Sequence, residues 1–107
     1  MNKYDVFWVD LEPTKGAMMK KTRPAVIVSP SEQNNYLQTI VICPLTSTIH
    51  EHWPTRVQVG IGRKKGEIAI DQIRTVPKEN LCDKIKTLNS KEIRELDEAI
   101  SLYFDQK

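Results

Sequence analysis

The sequence has 107 residues, of which 39% are hydrophobic and 28% are charged. A chain of this length and composition can bury one hydrophobic core, so we expect a single domain over residues 1–107 and exclude an intrinsically disordered protein. No apolar run approaches the length of a membrane helix. The N-terminal residues lack the apolar stretch of a signal peptide, so we expect a cytoplasmic protein that is not associated with a membrane.

Three apolar runs in the first half of the chain predict β-strands. The first, over residues 4–11, is apolar on both faces, so we expect this strand to be central in the sheet or covered by a partner. The second covers 25–29 and the third covers 39–45. Between them, the polar segment 31–38 predicts a loop with a helical turn.

The second half predicts further strands and then a helix. Alternating residues over 55–59 predict a fourth strand, the run 67–76 predicts a fifth, and 85–88 predicts a short sixth. From residue 89 onward the apolar residues recur at helical spacing, and Asn89 with Glu92 predicts a capping box. This order favours a mainly β (α+β) protein, a small and strongly bent antiparallel β-barrel with a C-terminal helix.

Polar residues follow or precede two of these strands at points that can meet. Arg23 stands just before the second strand, and Thr46 and Ser47 end the third. If the two strands pair antiparallel, the cation and both hydroxyls reach one edge of the sheet. A guanidinium binds two phosphate oxygens at once, so this edge favours a phosphate ligand. A surface salt bridge for Arg23 and strand-end capping by the hydroxyls are the structural alternatives.

Basic residues are clustered, although the net charge is only +2. Lys15, Lys20, Lys21 and Arg23 have no acidic residue among them, and 63–65 is a second basic cluster between glycines. Such a basic face is typical of a protein that binds a polyanion, whereas two solvated loops are the simpler interpretation. Cys43 lies in an apolar run and is expected to be a small core residue.

Five segments resemble, in order and spacing, the MazF/PemK family, the ribonuclease toxins of bacterial toxin–antitoxin modules. They are residues 6–16, 23–30, 43–47, 54–55 and 71–75. The resemblance implies an SH3-like barrel and a homodimer that cleaves single-stranded RNA without a metal or other cofactor. It also implies a MazE-like antitoxin as partner, whose tail fills the RNA groove.

The resemblance also implies roles for individual residues. Arg23 and Thr46 take the positions of the catalytic pair. Metal-free cleavage by the 2′-hydroxyl would leave a 2′,3′-cyclic phosphate and a 5′-hydroxyl. Substrate contacts are expected from Lys15, Lys20, Lys21, Ser47, Asp71 and Gln72. For Asp71, pairing with a neighbouring cation is the alternative.

The chain departs from the family pattern at one point. Many relatives carry Ser-Glu-Gln after the Lys-Gly pair, where this chain has Ala-Met-Met at 17–19, so the acid/base role of that glutamate cannot be transferred. His50 and His52 are candidate replacements, because histidine titrates near neutral pH; two exposed loop histidines are the alternative. Trp53 could stack on a base or belong to the core or a dimer interface.

Two other functions fit the same sequence. A toxin of the CcdB type shares this fold and acts by binding a protein such as gyrase. A degenerate family member would bind RNA or antitoxin and cut poorly. The pair Arg23 and Thr46 favours the ribonuclease, since a pure protein binder has no evident need for it.

Overall fold

The computed structural model describes residues 1–11, 21–50 and 52–105. Seven strands and two helices follow in chain order: β1 (Asp5–Asp10), β2 (Thr22–Ile27), α1 (Ser31–Tyr36), β3 (Thr39–Thr46), β4 (Arg56–Ile61), β5 (Lys64–Ala69), β6 (Arg74–Pro77), β7 (Leu81–Thr87) and α2 (Ser90–Phe104). Short 3₁₀ turns over Ile70–Gln72 and Lys78–Asn80 flank β6. Neither helix of this part of the chain is long and apolar enough to cross a membrane.

The strands form one antiparallel sheet in the order β4-β5-β3-β2-β1-β7, and β6 also pairs with β3. β3 therefore changes its neighbour along its length. Residues 39–42 pair with β6, whereas 45 and 46 pair with β5. The sheet bends at this point and curls into a half-barrel, which confirms the predicted barrel-like fold with a C-terminal helix.

Both faces of the central strands are buried. One apolar cluster lies under α2 and includes Val6, Val26 and Leu96. The other lies on the opposite side of the strands and includes Val9 and Ile27. The prediction that the first strand is central is confirmed, because β1 lies between β2 and β7. Two-sided burial explains why these strands read as continuous apolar runs.

Cys43 is completely buried in the cluster under α2, as the sequence predicts. Burial, with a smaller contribution from the charge of Asp71, raises the pKa of its thiol to about 12. The thiol therefore stays protonated near neutral pH and behaves as a small core side chain. Cys82 is exposed, and both cysteines are free.

The prediction of one continuous fifth strand over 67–76 is wrong, because the chain forms a turn in the middle of this range. β5 ends at Ala69, the chain turns over Ile70–Gln72, and β6 begins at Arg74. The two strands have different partners, since β5 pairs with β4 and β3 whereas β6 pairs only with the first half of β3. The Ile70 side chain is buried within the turn, so the apolar run continues although the strand does not.

Other boundaries also differ from the prediction. β2 runs over Thr22–Ile27 instead of 25–29, so Arg23 lies within the strand and not just before it. β5 begins at Lys64, because Gly62 takes a left-handed conformation (φ 59°) that allows a tight hairpin from β4. β7 begins at Leu81 instead of 85, and its pairing with β1 contains two register shifts. These shifts interrupt the alternation of inward and outward residues, so periodicity detects only the end of the strand.

The predicted helical segments are confirmed. α1 provides the helical turn within 31–38, and α2 begins with the capping box of Asn89 and Glu92. Leu96 is buried, and Ile93, Ile100 and Tyr103 pack against the cluster under α2. Phe104, which helical spacing also places on this stripe, is 59% exposed because the helix ends there.

Candidate active site

The polar ends of the second and third strands meet, as the sequence predicts. β2 and β3 pair antiparallel with Ala25 opposite Pro44. Two residues further along each strand, Arg23 and Thr46 therefore reach the same edge. Both line one cavity of about 560 Å³, together with Ser47.

The lining of the cavity combines cationic, hydroxyl and apolar side chains. Its other lining residues are Trp8, Pro24, Leu45, Thr48, Ile61, Lys64, Lys65 and Gly66. None of the lining residues that the structure describes is acidic, and no salt bridge among the described residues involves Arg23, Lys64 or Lys65. These three cations are therefore free to bind an anion. The exposed indole of Trp8 (40%) offers an aromatic surface beside them.

Lys64 and Lys65 are site residues that sequence reasoning did not assign. The feature of the sequence that indicates these two lysines is the basic cluster 63–65, for which a solvated loop is the simpler interpretation. The β4–β5 hairpin brings this cluster to the cavity, because β5 pairs with the end of β3 through Thr46 and Glu67. A contact between residues twenty positions apart depends on sheet pairing and not on a local pattern.

Arg23 and Thr46 differ in how they are held. The backbone of Arg23 pairs with Val9 in β1, while its side chain is exposed. The Oγ1 of Thr46 accepts a hydrogen bond from the N–H of Thr48 at 3.2 Å. Since a hydroxyl both accepts and donates, the O–H of Thr46 is still able to donate to a phosphate oxygen.

A second cavity, of about 400 Å³, adjoins the first at Arg23, which lines both. Lys21 and Gln72, both predicted substrate contacts, line this second cavity. Leu11, Pro44 and Arg74 complete it. Arg74 is another cation that sequence reasoning did not assign, although it lies in the family segment 71–75.

Asp71 pairs with a neighbouring cation, which was the alternative prediction for this side chain. Its Oδ1 accepts a hydrogen bond from Nε of Arg56 at 2.8 Å, and its Oδ2 accepts from NH2 at 3.3 Å. The hydrogen bonds from Arg56 lower the pKa of Asp71 more than its partial burial raises it. Asp71 is not among the described residues that line either cavity, so an RNA contact from this side chain stays a prediction.

The histidines are not placed with Arg23. The rings of His50 and Trp53 stack with centroids 3.8 Å apart, and the Arg56 guanidinium lies 5.1 Å from the Trp53 ring. His50 lines a different cavity, between β4 and α2, and His52 is exposed. Neither histidine is among the described residues that line the Arg23 cavities.

Two predicted contacts, Lys15 and Lys20, lie outside the described residues, as does the segment 17–19. Their roles stay predictions. Among the residues that are described, no three His, Cys, Asp or Glu side chains form a group that could hold a metal ion.

Residues 2–104 match the family model of the PemK-like, MazF-like toxin of type II toxin–antitoxin systems. The chain belongs to this family. A curated relative, endoribonuclease MazF of Staphylococcus saprophyticus, is 31% identical over 107 residues, which cover 95% of this chain and 89% of the relative. The predicted family is thus confirmed.

Solved structures of MazF-type toxins share the fold. A mycobacterial endoribonuclease in complex with its cognate antitoxin has a TM-score of 0.83 at 23% identity, covering 100% of this chain and 97% of that one. A MazE–MazF structure from Deinococcus radiodurans has a TM-score of 0.81 at 18% identity, covering 100% and 98%. The Mycobacterium tuberculosis toxin MazF-mt6 has a TM-score of 0.80 at 23% identity, covering 96% and 98%.

Proposed function

We propose that this MazF-family toxin is an endoribonuclease that cleaves single-stranded RNA, with mRNA in the cytoplasm as its target. The observation that carries the proposal is the meeting of Arg23 and Thr46 in a cavity where every charged lining residue that the structure describes is a cation. The curated relative from Staphylococcus saprophyticus is itself named an endoribonuclease. Cleavage of mRNA would inhibit translation and growth, as a toxin must.

The reaction needs no group beyond the RNA itself as nucleophile. The 2′-oxygen forms a bond to the adjacent phosphorus, and the bond from phosphorus to the 5′-oxygen breaks. The 2′-hydroxyl loses its proton and the departing 5′-oxygen gains one, so a 2′,3′-cyclic phosphate and a 5′-hydroxyl result. The transition state carries extra negative charge on the phosphate oxygens, which the enzyme must stabilise.

Arg23 supplies this stabilisation. Its planar guanidinium can bind two phosphate oxygens, and charge-assisted bonds of this kind are about twice as strong as neutral ones. Because an arginine side chain stays protonated at neutral pH, Arg23 acts through charge and not as a base. Thr46 and Ser47 donate hydrogen bonds that orient the phosphate.

The other cations define a path for the RNA chain. Lys64 and Lys65 line the cavity on one side of Arg23, and Lys21 and Arg74 line the cavity on the other side. Phosphates on both sides of the cleaved bond would be neutralised, and Trp8 would stack on a base. Gln72 would contact a base edge, while Lys15 and Lys20 would steer the RNA electrostatically.

Partners follow from the family. We expect a MazE-like antitoxin whose tail covers the RNA path, and a homodimer of this chain. Two of the similar structures are toxin–antitoxin complexes by their names. A second candidate function is an RNA-binding member that cuts poorly, which the Ala-Met-Met sequence at 17–19 favours, because relatives carry a glutamate there.

The decisive experiment is cleavage of a mixed single-stranded RNA by the purified protein in EDTA, with the fragment ends mapped. We expect 2′,3′-cyclic phosphate and 5′-hydroxyl ends at a restricted set of sequences. An RNA with a 2′-O-methyl group at the cleaved nucleotide should resist, since it has no nucleophile. Absence of cleavage in EDTA would refute the proposed mechanism, and binding without cleavage would establish the second candidate.

A further inference from the structure

Glu67 is a fully buried acidic residue in the middle of β5. On the sheet it lies opposite Thr46 of β3 on one side and Gln58 of β4 on the other. Side chains that are directly opposite across an antiparallel pair share a face and approach within about 5 Å. Glu67 is therefore a direct neighbour of the proposed catalytic threonine.

The carboxylate of Glu67 holds the segment that follows Thr46. Its Oε2 accepts the backbone N–H of His50 at 2.5 Å, over a sequence separation of 17 residues. The Oγ1 of Thr46 accepts the backbone N–H of Thr48 at 3.2 Å. Segment 47–50 is thus held by the hydrogen bonds of two of its residues, Thr48 and His50. Ser47 and Thr48 of this segment line the cavity of Arg23 and Thr46.

The environment of Glu67 is poorly suited to stabilising the fold. Its Oε1 has no hydrogen-bond partner in the part of the chain that the structure describes. This oxygen lies 3.5 Å from Nδ1 of His50 and 3.7 Å from NH1 of Arg56. Burial of a carboxylate with one unsatisfied oxygen carries a desolvation cost, which an ion pair of this length offsets only in part. Fold stability alone therefore does not account for Glu67.

We propose that Glu67 is a positioning residue for RNA cleavage, acting through segment 47–50 to keep Thr46 and Ser47 beside Arg23. The inference rests on the proposed ribonuclease function. A displacement of about 1 Å in a catalytic group can reduce the rate by about 10²-fold. The hydrogen bond from His50 to Glu67 opposes such a displacement in the loop that carries both hydroxyls.

The test compares three variants on one RNA oligonucleotide. Glu67→Leu removes the acceptor and the charge, and Arg56 is left with its ion pair to Asp71 at 2.8 Å, so no cation is stranded. We expect kcat to fall about 10-fold to 10²-fold with KM changed less than about twofold, in a variant that is destabilised by the unpaired His50 N–H but still folded at the assay temperature. Glu67→Gln keeps an oxygen that can accept the His50 N–H and should restore most of kcat. Gln58→Leu, on the neighbouring strand, is the matched control.

Three outcomes would overturn the proposal: cleavage by Glu67→Leu at the wild-type rate, an equal loss in Gln58→Leu, or loss of activity only in parallel with loss of folding. Should Glu67→Leu not fold, amide hydrogen exchange at His50 in the wild type and in Glu67→Gln decides the question. The His50 amide must be protected from exchange in the wild type, and Glu67→Gln must keep most of this protection and most of kcat; loss of the protection at full kcat would overturn the proposal. If the wild type cuts no RNA, the proposed function fails, whereas an unprotected His50 amide in the wild type would separately refute the attachment of the segment.

Discussion

Arg23 combines a fixed backbone with a free side chain. The ladder to Val9 in β1 and the ring of Pro24 restrict its main chain, while the guanidinium is exposed where two cavities join. A cation that is placed before substrate arrives needs little reorganisation in the transition state, which is the condition for strong electrostatic stabilisation. The same exposure means that Arg23 contributes little to fold stability.

Replacing Arg23 should therefore affect catalysis and not folding. We expect Arg23→Ala to lower kcat by about 10²- to 10³-fold, the usual loss for one preorganised donor, at an unchanged melting temperature. Arg23→Lys should recover only part of the rate, because an ammonium cannot bind two oxygens in the fork geometry. Rates are measured on a cleavable oligonucleotide at saturation. Arg94→Ala, an exposed arginine of α2, is the control, and wild-type activity of Arg23→Ala would disprove the assignment.

At the scale of elements, the carboxylate of Glu92 connects the start of α2 to two strands of the sheet. Oε1 of Glu92 accepts the N–H of Asn89 at 2.9 Å and lies 3.0 Å from Nζ of Lys86 in β7. Oε2 accepts the N–H of Gly60 in β4 at 3.1 Å. Although burial raises the pKa of Glu92, the hydrogen bonds from Asn89, Lys86 and Gly60 lower it below its ordinary value.

Loss of this carboxylate should destabilise the fold. We expect Glu92→Ala to reduce the free energy of unfolding by about 1–3 kcal/mol, because it removes the capping box and leaves the Gly60 N–H without its acceptor. Urea unfolding measures the change. Glu98→Ala, an exposed residue of the same helix, should change stability by less than about 0.5 kcal/mol.

The effect of Glu92 should depend on pH with a definite sign. Its pKa is lower in the folded than in the unfolded state, so its contribution is complete above the ordinary value of 4.5 and is lost as the pH falls through the folded value. The difference in stability between the wild type and Glu92→Gln should therefore shrink below about pH 4.5. A difference that grows on acidification would contradict the assigned shift.

At the scale of the molecule, charge is divided between two regions. The cations Lys21, Arg23, Lys64, Lys65 and Arg74 line the two adjoining cavities, whose described lining residues include no acid. The separate cavity between α2 and β4 carries both signs of charge, because Glu92, Glu95 and Glu98 of α2 line it together with Arg56 and Lys91. A polyanion is thus attracted to one region of a molecule whose net charge is only +2.

RNA binding should accordingly weaken with salt. For single strands the slope of log affinity against log salt is about −0.7 per neutralised phosphate. We expect Arg74→Ala to reduce the magnitude of the slope by about 0.7, measured with a 2′-O-methyl RNA that cannot be cut. Arg94→Ala should leave the slope unchanged. An unchanged slope in Arg74→Ala would exclude this arginine from the RNA path.

Local sequence patterns predicted the strands and helix ends whose formation depends on residues close to one another in the chain. The apolar runs became β1, β2 and β3, and Asn89 with Glu92 formed the capping box at the start of α2. The meeting of Arg23 and Thr46 was also predictable, because it requires only that two consecutive strands pair antiparallel. The break between β5 and β6 at Ile70–Gln72 was not predictable, because an apolar residue buried in a turn has the same hydropathy as one in a strand.

The sequence by itself therefore determined the fold class and the pair Arg23 and Thr46 through local patterns and one strand pair, and the family through five segments that match in order and spacing. Only the tertiary structure decided that Lys64, Lys65 and Arg74 surround this pair, that Asp71 binds Arg56, and that Glu67 holds segment 47–50. The reason is the bend of the sheet at β3. It brings β5 and β6 to opposite ends of one strand, and contacts made by such a bend leave no periodic trace in the sequence.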